Sequence, residues 1–299
     1  MIRYNSYRSY LKKRFGKPVL KIPLNAGFSC PNRDGTISAE GCSFCDNRSF
    51  SPVAGSMAPV LGQLKQAIET DRNRHEAFIA YLQPFSNTYG DTKLLKSIYE
   101  PIIEFPKVIG LAVGTRPDCF TLETYDYLED VSKRTYMSVE IGLQSGNDET
   151  LRLNYRGLDV KAFVNAITEL SQRKIEIVAH VMIGLPFETR TQTMETARLL
   201  ASLPVTGIKI HQLMIIAGTK AHEWYKEEKV KPLSLEEYAD MLCDFLTQVR
   251  PDQCIHRIMA DSTIKNGLVA PLWSAEKLKS IAFIHDVMEK RKLVQGSEY

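Results

Sequence analysis

Two hydrophobic patterns alternate along most of the chain. Segments with an apolar residue every three or four positions are typical of amphipathic helices, and short apolar runs between them are typical of buried strands. The patterns predict strands at 19–28, 77–83, 107–113, 136–143, 175–183 and 206–215, and helices at 60–75, 92–104, 121–133, 159–173 and 190–202. This alternation predicts repeated βαβ units and a parallel sheet.

The number of predicted strands sets the architecture. Six strands are too few for a closed eight-stranded barrel, so we expect an α/β fold, an open partial (βα)6 TIM-like barrel. A basic helix from Asn5 or Ser6 to Gly16 precedes the barrel, and helices at 219–229, 234–249 and 274–292 follow it, with a short strand near 255–258. We therefore expect a barrel at 1–218, including the basic helix, and a packed C-terminal helical extension at 219–299.

Polar residues within the predicted strands indicate which face lines the barrel. In 136–144 one face is apolar, while Glu140 and Gln144 lie on the other. Successive strand residues point to opposite faces, so the polar face is expected to point inward. The same rule sends inward Tyr81, Gln83, Glu176, Val178, His180, Lys209 and His211. A polar lumen suits a large polar ligand.

Composition argues against a membrane-spanning protein and against a disulfide-stabilised scaffold. The 299 residues are 44% hydrophobic and 24% charged, and no apolar run is long enough to span a bilayer. Six cysteines, half of them in one cluster, indicate a reducing compartment rather than a disulfide scaffold. We expect a cytoplasmic protein without a membrane partner.

Charge is concentrated at the amino terminus. The net charge is only +3, but residues 1–33 contain eight basic residues and no acid. Four of them form what we call the basic quartet: Arg8, Lys12, Lys13 and Arg14. Interleaved with tyrosines, they are expected to contact RNA phosphates at the barrel rim. An ordinary amphipathic helix that docks through its aromatic residues is the alternative.

The strongest chemical signal is the cysteine triad, Cys30, Cys42 and Cys45, in a C-x11-C-x2-C spacing. Asn32 to Gly35 is a turn signal that would let the intervening segment fold back. Three thiolates suit an iron–sulfur cluster with one open iron. A zinc site with a remote fourth ligand and a trio of buried free cysteines are the alternatives.

The motif context resembles a known family. Cys42-Ser43-Phe44-Cys45 with an upstream cysteine resembles radical S-adenosylmethionine enzymes, and the long first gap resembles the branch of the Elongator catalytic subunit. The phrases KIPLNAGFSCPNRDG, HRIMAD and LVAPLWS resemble a bacterial subfamily linked to the carboxymethylaminomethyl group of wobble uridine.

That resemblance implies a [4Fe-4S] cluster on the cysteine triad and S-adenosylmethionine beside it. It places four side chains at the cofactor: Phe44, Gln144, Arg156 and His180. Gln83 begins a stretch that departs from the glycine-rich segment of the family, and we place it at the cofactor because strand alternation points it inward. Arg156 is implied to bind the cofactor carboxylate, and His180 the ribose unless it is only a packed barrel histidine. On the substrate side we place Arg116, Glu140, Lys209 and His211.

The implied reaction is radical modification of the C5 side chain of a tRNA wobble uridine, from carboxymethylaminomethyl to aminomethyl. The expected partners are tRNA and a one-electron donor such as flavodoxin or ferredoxin. Two alternatives stay open at this stage. One is a radical enzyme for a small metabolite, and the other is a non-catalytic, zinc-stabilised RNA-binding module.

Overall fold

The computed structural model describes residues 3–299, without the side chains of Arg48 and Phe50. Its main sheet contains seven parallel strands. They are β1 (Val19–Leu24), β2 (Ala77–Leu82), β3 (Val108–Thr115), β4 (Tyr136–Gln144), β5 (Glu176–Ile183), β6 (Gly207–Gln212) and, after a two-residue strand β7 (Ile215–Ile216), β8 (Cys254–Arg257). The spatial order is β1-β2-β3-β4-β5-β6-β8. The sheet is an open, curled barrel with β1 and β8 at its edges.

Helices separate the strands. They are α1 (Tyr7–Phe15), α2 (Asn47–Phe50), α3 (Val60–Thr70), α4 (Thr92–Ile103), α5 (Leu122–Arg134), α6 (Asp148–Leu153), α7 (Val160–Gln172) and α8 (Arg190–Ser202). All but α2 and α6 of these match predicted helices. Most begin at a side-chain cap, for example Asp91 at α4 and Asp159 at α7, which satisfies a free backbone N–H. Their apolar faces pack on the outer face of the sheet.

The remainder carries α9 (Lys220–Lys226), α10 (Leu235–Gln248), β9 (Leu268–Ala270) and α11 (Lys277–Lys290). Ile215 and Ile216 of β7 pair with β9 in a separate antiparallel ribbon. None of the helices described between residues 3 and 299 combines the length and apolar character needed to cross a bilayer.

The predicted α/β class and partial barrel are confirmed, but the strand count is wrong. The sequence analysis places the short strand near 255–258 in the C-terminal extension, whereas β8 pairs in parallel with β6 through Cys254 and Ile255. Two predicted strands are also too long, since β1 ends at Leu24 and β6 ends at Gln212. A four-residue strand gives too short a pattern for its place in a sheet to be recognised locally.

Two faces of the sheet have opposite characters. The outer face joins the main hydrophobic core, as Val139, Ile141 and Leu143 of β4 do. Polar side chains of β4, β5 and β6 line the interior, as predicted for Glu140, His180 and Lys209. The strand alternation therefore predicts the polar lumen correctly.

Helix α1 closes the barrel at the amino ends of the strands. Leu11 packs with Ile79, Tyr81 and Tyr136, and α1 contacts both edge strands. Arg14 pairs with Glu176, the first residue of β5, at 2.9 Å. The four members of the basic quartet are exposed, but they lie at the end opposite the cysteine triad. The expectation that this segment lies on the catalytic rim is wrong, because its aromatic face fills the open bottom of the barrel.

Candidate active site

The loop after β1 carries the cysteine triad over the carboxyl ends of the strands. The backbone N–H groups of Arg33 and Asp34 donate to the carbonyl of Cys30 at 2.8 and 3.1 Å, and Gly35 adopts a φ of 93°. This is the turn that the Asn32–Gly35 signal predicts. A second turn closes at Cys45, whose N–H donates to the Cys42 carbonyl at 3.0 Å.

Polar contacts tie the Cys42–Cys45 turn to the segment after β4. Ser43 Oγ donates to Asn154 Oδ1 at 2.7 Å, and Ser43 N–H donates to the Asn154 carbonyl at 3.0 Å. Asn154 in turn donates to the Pro186 carbonyl at 2.9 Å. Since Asn154 and Ser43 are buried, this network fixes the loop against two other strand ends.

Two donors point at the sulfur of Cys42. Asn32 Nδ2 lies 3.4 Å from Cys42 Sγ, and Arg156 Nη1 lies 3.3 Å from it. Burial by itself would raise the pKa of Cys42, but the nearby Arg156 and Arg116 guanidinium groups outweigh it, so the pKa lies below its usual value. Cys42 is therefore held toward the thiolate, which is the form that ligates metal, whereas burial and the charge of Cys42 raise the pKa of Cys45 to about 12.

The two terminal nitrogens of Arg156 have different partners, Cys42 Sγ for Nη1 and the Gly142 carbonyl for Nη2. Its Nη2 donates to the Gly142 carbonyl at 2.6 Å, and a Cβ at Gly142 would approach Arg156 Nη2 to 3.3 Å. The same Cβ would meet Gln144 Nε2 at 2.8 Å, so a side chain at position 142 would displace Gln144 first. Arg116 supports the same segment, because its Nη1 donates to the Arg156 carbonyl at 3.0 Å.

Arg116, which is expected on the substrate side, lies on the wall of the same cavity as Glu140 and Lys209. Its Nε and Nη2 donate to the Asp118 carboxylate at 2.9 and 2.7 Å, in a bidentate pair. The third contact holds the Arg156 segment, so the guanidinium is used to position neighbouring protein groups. Sequence reasoning had no signal for this role.

The other expected cofactor residues line one cavity below the triad. Phe44, Gln83, Gln144 and His180 all lie on its wall. Gln144 ends β4 with a φ of 74°, where the pairing with β5 shifts register. A non-glycine residue in this region of backbone space is costly, and such residues concentrate at functional sites.

One ring nitrogen of His180 forms a hydrogen bond inside the barrel. Its Nε2 lies 2.6 Å from Glu140 Oε2. Burial, followed by the charge of Lys209, lowers the pKa of His180 to about 4, so the ring is neutral and donates from Nε2. Of the two alternatives for His180, this contact favours the packed barrel histidine.

Glu140 is the centre of a buried charge cluster. Lys21 and Lys209 both pair with it, Lys209 Nζ at 2.8 Å from Oε2. Lys209 Nζ also donates to Tyr81 Oη at 2.9 Å. Although burial opposes ionisation of Glu140, the two lysines outweigh it and keep its pKa well below the usual range. The structure thus brings Glu140, Lys209 and His211 to one cavity, as expected.

Two residues near Glu140 are given no site role by the sequence analysis. Lys21 stands there in the basic amino terminus and in a quoted phrase, and Arg257 stands in a quoted phrase and in the short strand near 255–258. Arg257 lines the cavity, whereas Lys21 reaches Glu140 from the pocket under α1. Arg257 faces His211, with its Nη2 at 2.7 Å from His211 Nε2. If residues 254–257 are taken as a strand of the barrel, strand alternation predicts that Arg257 points inward.

The superfamily model described as "Radical SAM superfamily" matches residues 30–200, and the "Radical_SAM C-terminal domain" model matches residues 205–290. The chain belongs to the radical SAM superfamily. It is therefore an enzyme of the type that uses a [4Fe-4S] cluster and S-adenosylmethionine, and not a non-catalytic zinc module. The predicted family is confirmed.

Several known proteins are similar to this chain in sequence or in structure. The uncharacterized protein YtqA of Bacillus subtilis (strain 168) is 35% identical over 299 residues, covering 98% of this chain and 92% of its own. The tRNA uridine(34) acetyltransferase of Dehalococcoides mccartyi (strain CBDB1) is 26% identical over 159 residues, 52% of this chain and 34% of its own. The structure of archaeal Methanocaldococcus infernus Elp3 gives a TM-score of 0.68 at 15% identity, over 93% of this chain and 64% of that one. The last comparison establishes the fold alone.

The residues present fit the cluster of the radical SAM superfamily. Among residues 3–299, no three His, Cys, Asp or Glu side chains converge as a single metal ion would require. A [4Fe-4S] cluster does not need this convergence, since each cysteine binds a different iron. The cysteine triad would hold three irons, and the donors to Cys42 would tune them. When bound, the cluster and S-adenosylmethionine supply one-electron chemistry that produces a 5′-deoxyadenosyl radical.

Proposed function

We propose that this radical SAM enzyme acts on the wobble uridine of tRNA and converts a carboxymethylaminomethyl group at C5 to aminomethyl. Support for a uridine substrate comes from the similarity to a tRNA uridine(34) acetyltransferase. The observation that carries the proposal is the polar cavity that runs from the cysteine triad down to Glu140 and Lys209. A closed barrel fills this space with apolar side chains, whereas here it is available to a polar group.

An RNA substrate must present its base at the carboxyl ends of the strands. Enzymes that modify a base extrude it from its stack into a pocket. Within the cavity, we assign the cysteine triad and Arg156 to the cofactor side, and Lys209 and His211 to the substrate side. A small reduced protein such as flavodoxin or ferredoxin is the electron donor that we propose.

Nucleoside mass spectrometry of tRNA tests the reaction. Cells that lack the protein should accumulate 5-carboxymethylaminomethyluridine and lose the nucleosides derived from 5-aminomethyluridine. The wild-type gene should restore the profile, and a Cys42→Ala variant should not. An unchanged nucleoside profile in the deleted strain would refute the proposal.

A radical enzyme for a small metabolite is the second candidate, and the compact buried charge cluster around Glu140 favours it. Binding of tRNA at several salt concentrations separates the two. Each phosphate contact contributes about 0.7–0.9 to the log–log slope, so an RNA enzyme should lose affinity steeply with salt. A metabolite enzyme should show only weak, non-specific RNA binding.

A further inference from the structure

The charges in the cavity do not balance. Of the described residues that line it, Glu140 is the only carboxylate, while Lys209 and Arg257 lie at the same depth. With the histidines neutral, two cations face one acid in the lower half of the cavity, which we call the chamber, and Lys21 contacts that acid from the pocket under α1.

Glu140 does not also form an ion pair with Arg257. One of its oxygens pairs with Lys21, and the other accepts from Lys209 at 2.8 Å and from His180 at 2.6 Å. Its side chain is fully buried. The acceptor capacity that faces the chamber is therefore already used.

Arg257 has no acidic partner in the described part of the chain. Its Nη2 contacts the ring nitrogens of His211 at 2.7 and 2.8 Å, and its Nε is buried without any hydrogen-bond partner. Asp261 is the nearest further acid along the chain, but it pairs with Lys277 at 2.8 Å. Arginine stays protonated in proteins, so the guanidinium is a half-buried charge without an acidic partner among the described residues.

We propose that Arg257 binds a carboxylate of the substrate inside the chamber, with Lys209 as the second positive charge. This inference rests on the proposed function, in which the carboxymethyl group of the uridine carries that carboxylate. A planar guanidinium matches a carboxylate with two parallel hydrogen bonds. The rings of His180 and His211 lie beside it and carry no negative charge that could take the place of the substrate carboxylate.

The site is distinct from the one expected for the cofactor. Arg257 pairs in register with Lys209 in the middle of β6, whereas Arg156 lies in the segment after β4 and contacts Cys42. A substrate carboxylate on Arg257 therefore places the uridine side chain between the chamber floor and the cysteine triad. An enzyme that extrudes a base takes the base and its side chain into the pocket, so the side-chain carboxylate is the group that we place on Arg257.

Binding to two matched RNA hairpins tests the inference. Both are anticodon stem-loops; one carries 5-carboxymethylaminomethyluridine at the wobble position, and the other carries the same side chain with its carboxylate replaced by a carboxamide. Affinity is measured without reductant for the wild type, Arg257→Gln, Arg257→Lys and a control, Arg198→Gln. Arg198 is an exposed arginine on α8 whose Nη1 reaches Gln248 at 3.3 Å.

The wild type and the Arg198→Gln control should prefer the carboxylate hairpin about ten- to hundredfold, the usual strength of a hydrogen bond to a charged group. Arg257→Gln should lose the preference, with iron content and S-adenosylmethionine affinity unchanged. Arg257→Lys keeps the charge without the fork and should retain a reduced preference, which decides the question if the glutamine variant does not fold.

Three results would overturn the inference. A full preference in Arg257→Gln, or in Arg257→Lys if only that variant folds, refutes the role of Arg257 and leaves the proposed function standing. Lower S-adenosylmethionine affinity in the folded variants assigns Arg257 to the cofactor instead. A wild type with no preference, together with an unchanged nucleoside profile in the deleted strain, refutes both proposals.

Discussion

Replacement of Glu140 by glutamine tests the buried charge cluster most directly. The change keeps the shape of the side chain and removes its charge, which leaves Lys21 and Lys209 without an acid in a buried site. At the 2.8 Å separation of Lys209 Nζ and Glu140 Oε2, Coulomb's law with an effective dielectric constant near 20 gives a gross attraction of about 6 kcal/mol.

Part of that attraction offsets the cost of taking the charges out of water, so the net effect is smaller. Removal of one partner from a buried pair typically costs about 3–5 kcal/mol of unfolding free energy. We expect Glu140→Gln to fall in that range at pH 6. The surface pair Arg152–Glu149, at 2.6 Å and with both side chains exposed, is the matched control, and Glu149→Gln should cost far less, because solvent screens an exposed pair.

The pH dependence provides an internal check. Burial lowers the pKa of Lys209 to about 7, and Glu140 opposes the shift. Without Glu140 the folded-state pKa of this lysine falls further. Stability rises with pH wherever the unfolded state binds more protons, and this rise begins at a lower pH in the variant than in the wild type. The stability gap between the two proteins should therefore narrow from pH 6 to pH 7 and stay constant above it.

Urea unfolding of the anaerobically purified proteins, followed by circular dichroism, measures these free energies. A double variant, Glu140→Gln with Lys209→Met, should be more stable than Glu140→Gln alone, because one unpaired buried cation is gone. A cost for Glu140→Gln as small as that for Glu149→Gln would contradict the reasoning and would mean that water screens the chamber.

Four further outcomes follow from the site. Replacement of any member of the cysteine triad by alanine should abolish the binding of about four irons per chain, as iron analysis measures, while Cys243→Ala should not. Arg156→Ala should weaken S-adenosylmethionine binding about ten- to hundredfold by calorimetry, with the exposed Arg152→Ala as its control. Burial raises the pKa of Glu188 to about 7, so the stability that its neutral form provides is present below about pH 4.3 and is lost as pH rises through 7; Glu188→Gln should flatten that decline in urea titrations. Alanine at all four positions of the basic quartet should leave the salt slope of tRNA binding unchanged, and a slope lower by 0.7–0.9 per lost contact would return the RNA to the bottom of the barrel.

The sequence alone determined the order of elements and the character of each sheet face. Hydrophobic periods are local properties, and the parity of β4 by itself separates Val139 and Ile141 from Glu140. The cysteine triad was equally visible, because its members lie within sixteen residues and are joined by a strong turn signal. Resemblance then supplied the family, the cluster and the cofactor.

Which distant groups meet depends on tertiary packing, and local patterns did not reveal it. Arg116 pairs with Asp118 and supports Arg156, which no local pattern encodes. Helix α1 closes the bottom of the barrel because an open sheet leaves a gap between β1 and β8, and its aromatic face fills that gap. Arg257 lies at the site because the four-residue strand β8 pairs with β6, which no local pattern indicates. Strand order and the contacts across a barrel depend on long-range packing, and a periodicity read along the chain carries no information about them.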